Sequence, residues 1–128
     1  MADRDPSRQR APFRAAAPSG DVEVAEAGGA TVVRVAGSLD VALAPRLERI
    51  VERTARDGSS RIVIDLSGCD FLASAGLSAL ARAGRLRADG VDLRLVADSR
   101  PVLLPLRITN LDGDFDIRPT LVEALADP

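Results

Sequence analysis

One hydroxyl and two carboxylates stand out in the run Ile62–Leu80, IVIDLSGCDFLASAGLSAL. Ser74 opens a segment whose apolar positions, Leu77, Leu80, Ala81 and Gly84, recur at i, i+3, i+4 and i+7, the spacing of one helix face. Ser74 therefore stands where an N-cap belongs, ahead of backbone N–H groups that have no intrahelical partner. Those donors make a natural anion site, so a phosphate on Ser74 would be held by the backbone and read by whatever docks there. As a plain N-cap, the same serine would stabilise the helix by about 0.5–2 kcal/mol relative to alanine. Ser67, at a strand-end turn, and Ser78, one turn inside the helix, are weaker candidates for such a group. Asp65 closes the apolar strand run Ile62, Val63, Ile64 and Leu66, and is suited to accept N–H bonds from a polar loop of Ser67, Gly68, Cys69 and Asp70.

Other chemistries are excluded by what is missing. The chain has 128 residues, no His and one Cys. Without His, a serine or cysteine hydrolase relay lacks its base and a transition-metal site lacks its ordinary ligands. Cys69 makes no internal disulfide, which fits a reducing cytoplasm, and reads as a small apolar residue. No Gly-rich phosphate loop of the Walker or Rossmann type occurs. Base, nucleophile and orienter do not occur together, so the chain reads as a non-enzyme with no cofactor and no metal. The net charge of −2, with no basic stripe, argues against nucleic acid as a partner. No apolar stretch reaches the roughly 18 residues of a membrane span, and the N-terminus lacks a signal-peptide core. The expected location is cytoplasmic, away from membranes.

Strands and helices must alternate to position Ser74. Residues 1–20 carry Arg4, Arg8, Arg10 and Arg14 with Pro6, Pro12 and Pro18, and this composition predicts a disordered tail ahead of one domain over 21–128. Val22 and Val24 mark a first strand, Gly28-Gly29 a hairpin turn, and Thr31–Ala36 a second strand. Pro45 opens a helix with Leu47, Ile50, Val51 and Thr54 on one face, ended by Gly58. The third strand is Arg61–Leu66, and the Ser74 helix runs to about Asp89, before Gly90. Val91, Leu93 and Leu95 alternate as a fourth strand. Arg100–Leu111 reads as a helix capped by Ser99 and disturbed by Pro105. Phe115–Arg118 forms a last strand, and Thr120 caps a short final helix. The order is β-β-α-β-α-β-α-β-α, in an α/β fold with a mixed, mainly parallel sheet of about five strands and four helices chiefly on one side.

This order, with the motifs GSLDVALAP (Gly37–Pro45), RIVIDLSGCDFLASAGLSAL (Arg61–Leu80) and DLRLVADSRPV (Asp92–Val102), resembles the STAS domain over about residues 21–127. Because the domain stands alone, it is most similar to the bacterial anti-sigma factor antagonists. The resemblance implies a partner switch in transcription regulation. The unmodified domain binds an anti-sigma factor that is also a serine kinase of the histidine-kinase-like ATPase type, and so frees a sigma factor. Phosphorylation at the mouth of the second helix breaks the complex, and a phosphatase restores it. The implied docking residues are Ser38, Asp40, Asp70, Leu72, Ala73, Ser74, Ala75, Gly76 and Leu77. Asp40 has a structural reading as well, as the cap of a turn before the Pro45 helix.

The chain departs from the family pattern at the switch. Family members commonly read Asp-Ser-Ser-Gly or Asp-Ser-Thr-Gly, where this chain has Ala73-Ser74-Ala75-Gly76. Ala75 cannot accept phosphate, which leaves Ser74. Two alternatives follow: a non-phosphorylated interaction module (an adaptor or a transport-ATPase subunit), or a binder of a nucleotide or lipid at the Ser74 helix mouth. The expected state is a monomer, or a weak dimer through the edge strands at Val22 and Phe115.

Overall fold

The computed structural model describes residues 20–126. The tail reading therefore lies outside the described residues, except at Gly20, which begins strand β1 (Gly20–Ala27). Strand β2 (Ala30–Leu39) pairs with it antiparallel. The turn between them is Gly28-Gly29, both at positive φ, as a two-residue hairpin turn twisted to match its strands requires. Helix α1 (Ala44–Arg56), strand β3 (Arg61–Leu72), helix α2 (Ser74–Gly84), strand β4 (Asp92–Val96), helix α3 (Arg100–Ile108), strand β5 (Asp116–Arg118) and helix α4 (Leu121–Leu125) follow. The sheet order is β1-β2-β3-β4-β5, with every pair after the first parallel.

That order explains the layering. Each parallel crossover steps to the next strand in the same direction and is right-handed, so the connecting helices fall on one face. Val33, Val35, Ile62, Ile64, Leu93 and Leu95 of the sheet pack there against Leu47 and Val51 of α1, Leu80 of α2, and Val102 and Leu106 of α3. The opposite face carries Ala30, Val32, Val63 and Val96, closed by Ala124, Leu121 and Leu125 of the short α4. Burial on both faces is why Ile62–Leu66 reads as a continuous buried run.

Several boundaries differ from expectation. β3 does not end before a polar loop: it continues through Leu72, because β2 continues to Leu39 and supplies its partners. Two register irregularities absorb the extra residues, one after Asp65 and one at Asp70. Asp65 is buried at the first of them, where its Oδ1 accepts the Ser67 N–H at 2.9 Å. Past Gly84, residues Arg85–Asp89 form a tighter 3-10 turn and not more α-helix. α3 stops at Ile108, and Asn110 takes the left-handed conformation. Ser99 holds the N-cap position of α3 without a side-chain cap bond, whereas Thr120 caps α4, its Oγ1 accepting the Glu123 N–H at 3.1 Å. Val22 and Phe115 are both buried, and Phe115 precedes β5. β1 and β5 are the two edge strands of the sheet, as the sequence suggested.

Two local contacts fix the rest. Gly76 lies in the first turn of α2, directly against the end of β2. A Cβ there would sit 2.3 Å from the Leu39 carbonyl oxygen, so only glycine lets the helix approach that backbone. On the other face, Arg94 of β4 is 1% exposed. It donates two bonds to Asp92, at 3.1 and 3.0 Å, and further bonds to the Ala124 and Ala126 carbonyls of α4 and its exit. A buried cation is tolerable because each of its three guanidinium nitrogens finds an acceptor, two of these being the oxygens of one carboxylate.

Both contacts generate predictions. Gly76→Ala should cost at least about 2 kcal/mol in urea unfolding, since the obstacle is a backbone carbonyl that no rotamer change removes. The Asp92 carboxyl is held below the ordinary aspartate range, chiefly by the hydrogen bonds from Arg94 and then by Arg61. A lowered folded pKa gives stability that is present above the unfolded value of about 3.9 and is lost as pH falls through the folded value. Asp92→Asn should therefore melt below wild type at pH 7, with the gap closing below about pH 4.

Candidate functional site

The C-terminal ends of β2 and β3 and the start of α2 converge at one end of the sheet. Ser38 pairs with Phe71 and Leu39 with Leu72, so the segment Gly37–Asp40 lies beside Asp70–Leu72. The Ser38 hydroxyl donates to Asp70 Oδ1 at 3.4 Å. The Ala73 N–H donates to the Leu39 carbonyl at 3.1 Å, which ties the β3–α2 connection to β2. With Gly76 seated against the same carbonyl, the mouth of α2 has little freedom to move.

Asp40 does what its turn position suggests. Its Oδ1 accepts the N–H groups of Ala42 and Leu43, at 3.1 and 3.2 Å, and its carbonyl accepts Leu43 and Ala44. The Asp40–Leu43 turn is thereby fixed, and α1 starts one residue before Pro45.

Ser74 is not the N-cap. That position belongs to Ala73, whose backbone is extended, and Ser74 is the first helical residue. An alanine has no side-chain acceptor, so the first turn of α2 carries no side-chain cap. Ser74 itself is exposed. Its hydroxyl stands at the rim of an N-terminus whose N–H groups still favour negative charge.

The residues expected at a docking face come together, though at different depths. Asp70 and Ser74 are exposed; Ser38, Asp40, Ala73, Ala75 and Leu77 are half-buried; Leu72 and Gly76 are buried. Leu77 and Ala75 also pack on the main core. Ser67 and Ser78 are exposed as well, Ser67 at the bulge after Asp65 and Ser78 on the next turn of α2. Sequence reasoning missed two residues of this face. Phe71 is 55% exposed and Val41 76% exposed, both at the β2 and β3 ends. Phe71 points away from the buried Leu72, because adjacent residues of a strand point to opposite faces.

Cys69 lies just behind this face and is buried. Burial pushes its thiol pKa up, against weaker opposition from backbone hydrogen bonds to Phe71 and Leu39. The thiol donates to the Phe71 carbonyl at 3.3 Å. It is a protonated packing group at neutral pH. Among the described residues no cluster of His, Cys, Asp or Glu is placed to hold a metal ion. No helix among them is long and apolar enough to cross a membrane.

Residues 21–124 match the STAS domain. The anti-sigma-F factor antagonist RsfB of Mycobacterium tuberculosis is 33% identical over 104 residues, which span 81% of this chain and 85% of that protein. The crystal structure of an anti-sigma factor antagonist from Mycobacterium paratuberculosis superposes with a TM-score of 0.77 at 34% identity, covering 84% of this chain and 92% of that one. SpoIIAA in its unphosphorylated form shares the fold, with a TM-score of 0.68 at 19% identity over 82% of this chain and 93% of its own. The match over nearly all of the described residues, with one-third identity to RsfB, places the chain in the STAS domain family.

Proposed function

We propose that the chain is an anti-sigma factor antagonist whose docking face is the sheet end described above, and that phosphorylation of Ser74 switches it. The observation that carries this reading is the exposed Ser74 at the start of α2, at the sheet end where the Ala73 N–H is tied to Leu39 and Ser38 meets Asp70. The likeness to RsfB, named as an anti-sigma-F factor antagonist, supports the kind of partner. That partner is an anti-sigma factor with serine kinase activity of the histidine-kinase-like ATPase type, and a phosphatase reverses the modification. In this reading the chain is a ligand and a substrate, and it catalyses nothing.

Phe71 and Val41 supply apolar area that a partner would remove from water. Phosphate on Ser74 adds about −1.5 to −2 charges at pH 7 to the sheet end that also carries Asp40 and Asp70. Docking would then have to desolvate a dianion among like charges. Within the chain, the same group faces the N–H donors of α2, whose first turn has no side-chain cap. Modification thus opposes the complex while leaving the fold intact.

A second reading is favoured by Ala73 and Ala75. They leave Ser74 with no neighbouring hydroxyl or acid, so the same face could serve constitutive binding.

The test is intact mass after incubation with the cognate anti-sigma kinase and ATP. A gain of about 80 Da in wild type, absent in Ser74→Ala, is expected; a stable complex without the gain would establish constitutive binding. Ser74→Asp should weaken the complex at least tenfold, about 1.4 kcal/mol, in calorimetric titration. It should shift the melting temperature by no more than about 2 °C, since surface substitutions usually stay within about 0.5 kcal/mol. Unchanged affinity in Ser74→Asp would remove Ser74 from the switch.

A further inference from the structure

The Arg-rich N-terminal segment joins the fold at the docking face. β1 is antiparallel to β2, and its first residue, Gly20, pairs with Gly37, next to Ser38, which pairs with Phe71. The chain preceding Gly20 therefore leaves from the same end of the sheet as Asp70 and Phe71, two strand spacings or about 10 Å away. From Phe13 to Gly20 the chain can reach about 23 Å when extended. Residues 10–14 can thus cover the face without moving any part of the fold.

Their chemistry matches what the face presents. Residues 10–14 read Arg-Ala-Pro-Phe-Arg, an aromatic ring between two guanidinium groups, and no acidic residue lies between Asp5 and Gly20. The face offers exposed Phe71 and Val41, bordered by the exposed carboxylate of Asp70 and by the turn of Asp40. Pro12 narrows the conformations the segment must give up on docking. A short tether raises the local concentration to about millimolar, so an intrinsic dissociation constant of about 1 mM is enough to keep the face half occupied.

We propose that residues 10–14 dock on this face within the same molecule, with Phe13 against Phe71 and Val41 and with Arg10 and Arg14 toward Asp70 and Asp40. The chain then carries its own occupant for the surface its partner uses. That consequence rests on the functional reading above; the docking does not. The arginines supply the opposite charge, Phe13 supplies the apolar contact, and the tether removes most of the association entropy.

The chain has no Trp and no Tyr, so Phe13→Trp in the full-length protein places one indole fluorophore in the segment. At low salt its emission should be blue-shifted relative to a peptide of residues 1–19 carrying the same substitution. The shift should be lost near 1 M salt, where the screening length is about 3 Å. It should also be lost with Arg10→Glu/Arg14→Glu, changes outside the folded part, and with Asp70→Arg or Phe71→Ser once circular dichroism shows native folding. Emission identical to the peptide would overturn the proposal. So would a shift that survives both Asp70→Arg and Phe71→Ser, or one that grows with protein concentration and so belongs to a second copy. The measurement needs no partner, so failure of docking and failure of the functional reading are seen separately.

Discussion

The approach of the Leu39 carbonyl to the first turn of α2 is the contact on which the functional end depends. With a Cβ position only 2.3 Å from that oxygen, residue 76 must be glycine for α2 to sit where it does. The same carbonyl accepts the Ala73 N–H, so one backbone group positions both the residue before the helix and the helix itself. Ser74 lies between these two anchors. Its exposure and orientation are set by backbone packing and owe little to the serine side chain, which explains how alanines can flank it without loss of the local structure.

The sheet divides the labour between its faces. Three helices bury one face in a core of aliphatic side chains, and this supplies most of the hydrophobic stabilisation. The other face is closed by a five-residue helix, too short to hold itself together. Its stability comes from outside: the Thr120–Glu123 cap at its start, the Arg94 guanidinium on the Ala124 and Ala126 carbonyls, and Arg118 donating to the Glu123 carbonyl at 3.1 Å. Asp92 in turn orients Arg94, which is why its own ionisation is displaced.

At the end of the sheet proposed for docking, Asp70 and Asp40 each precede an exposed apolar residue, Phe71 and Val41, and the first turn of α2 carries no side-chain cap. In the proposed reading, such a surface takes a partner that brings both apolar and cationic groups, and a phosphate on Ser74 opposes that docking by adding charge. The nearby Cys69 is buried, and burial pushes its thiol pKa up.

Much of this was legible in the chain. Periodicity with turn and cap signals placed the five strands and four α-helices of the described residues, though the ends of β3, α2 and α3 moved. Positive-φ glycines marked the hairpin at Gly28-Gly29 and the ends at Gly58 and Gly90. The acceptor role of Asp65 was readable from its place at the end of an apolar run, because an aspartate there bonds N–H groups within two residues. Other features depended on neighbours distant in sequence. Ser67–Asp70 looks like a loop by composition and is strand because β2 extends alongside it. Arg94 looks like a wet-face residue in an alternating strand, yet it is buried because α4 folds over it. Ser74 has the composition of an N-cap, but Gly76 must meet Leu39, and that places the helix start so that Ala73 takes the cap position. Local sequence determined the elements and the choice of Ser74 as the candidate group. Tertiary packing alone decided which residues surround it, because pairing register and backbone approach are settled between segments thirty or more residues apart.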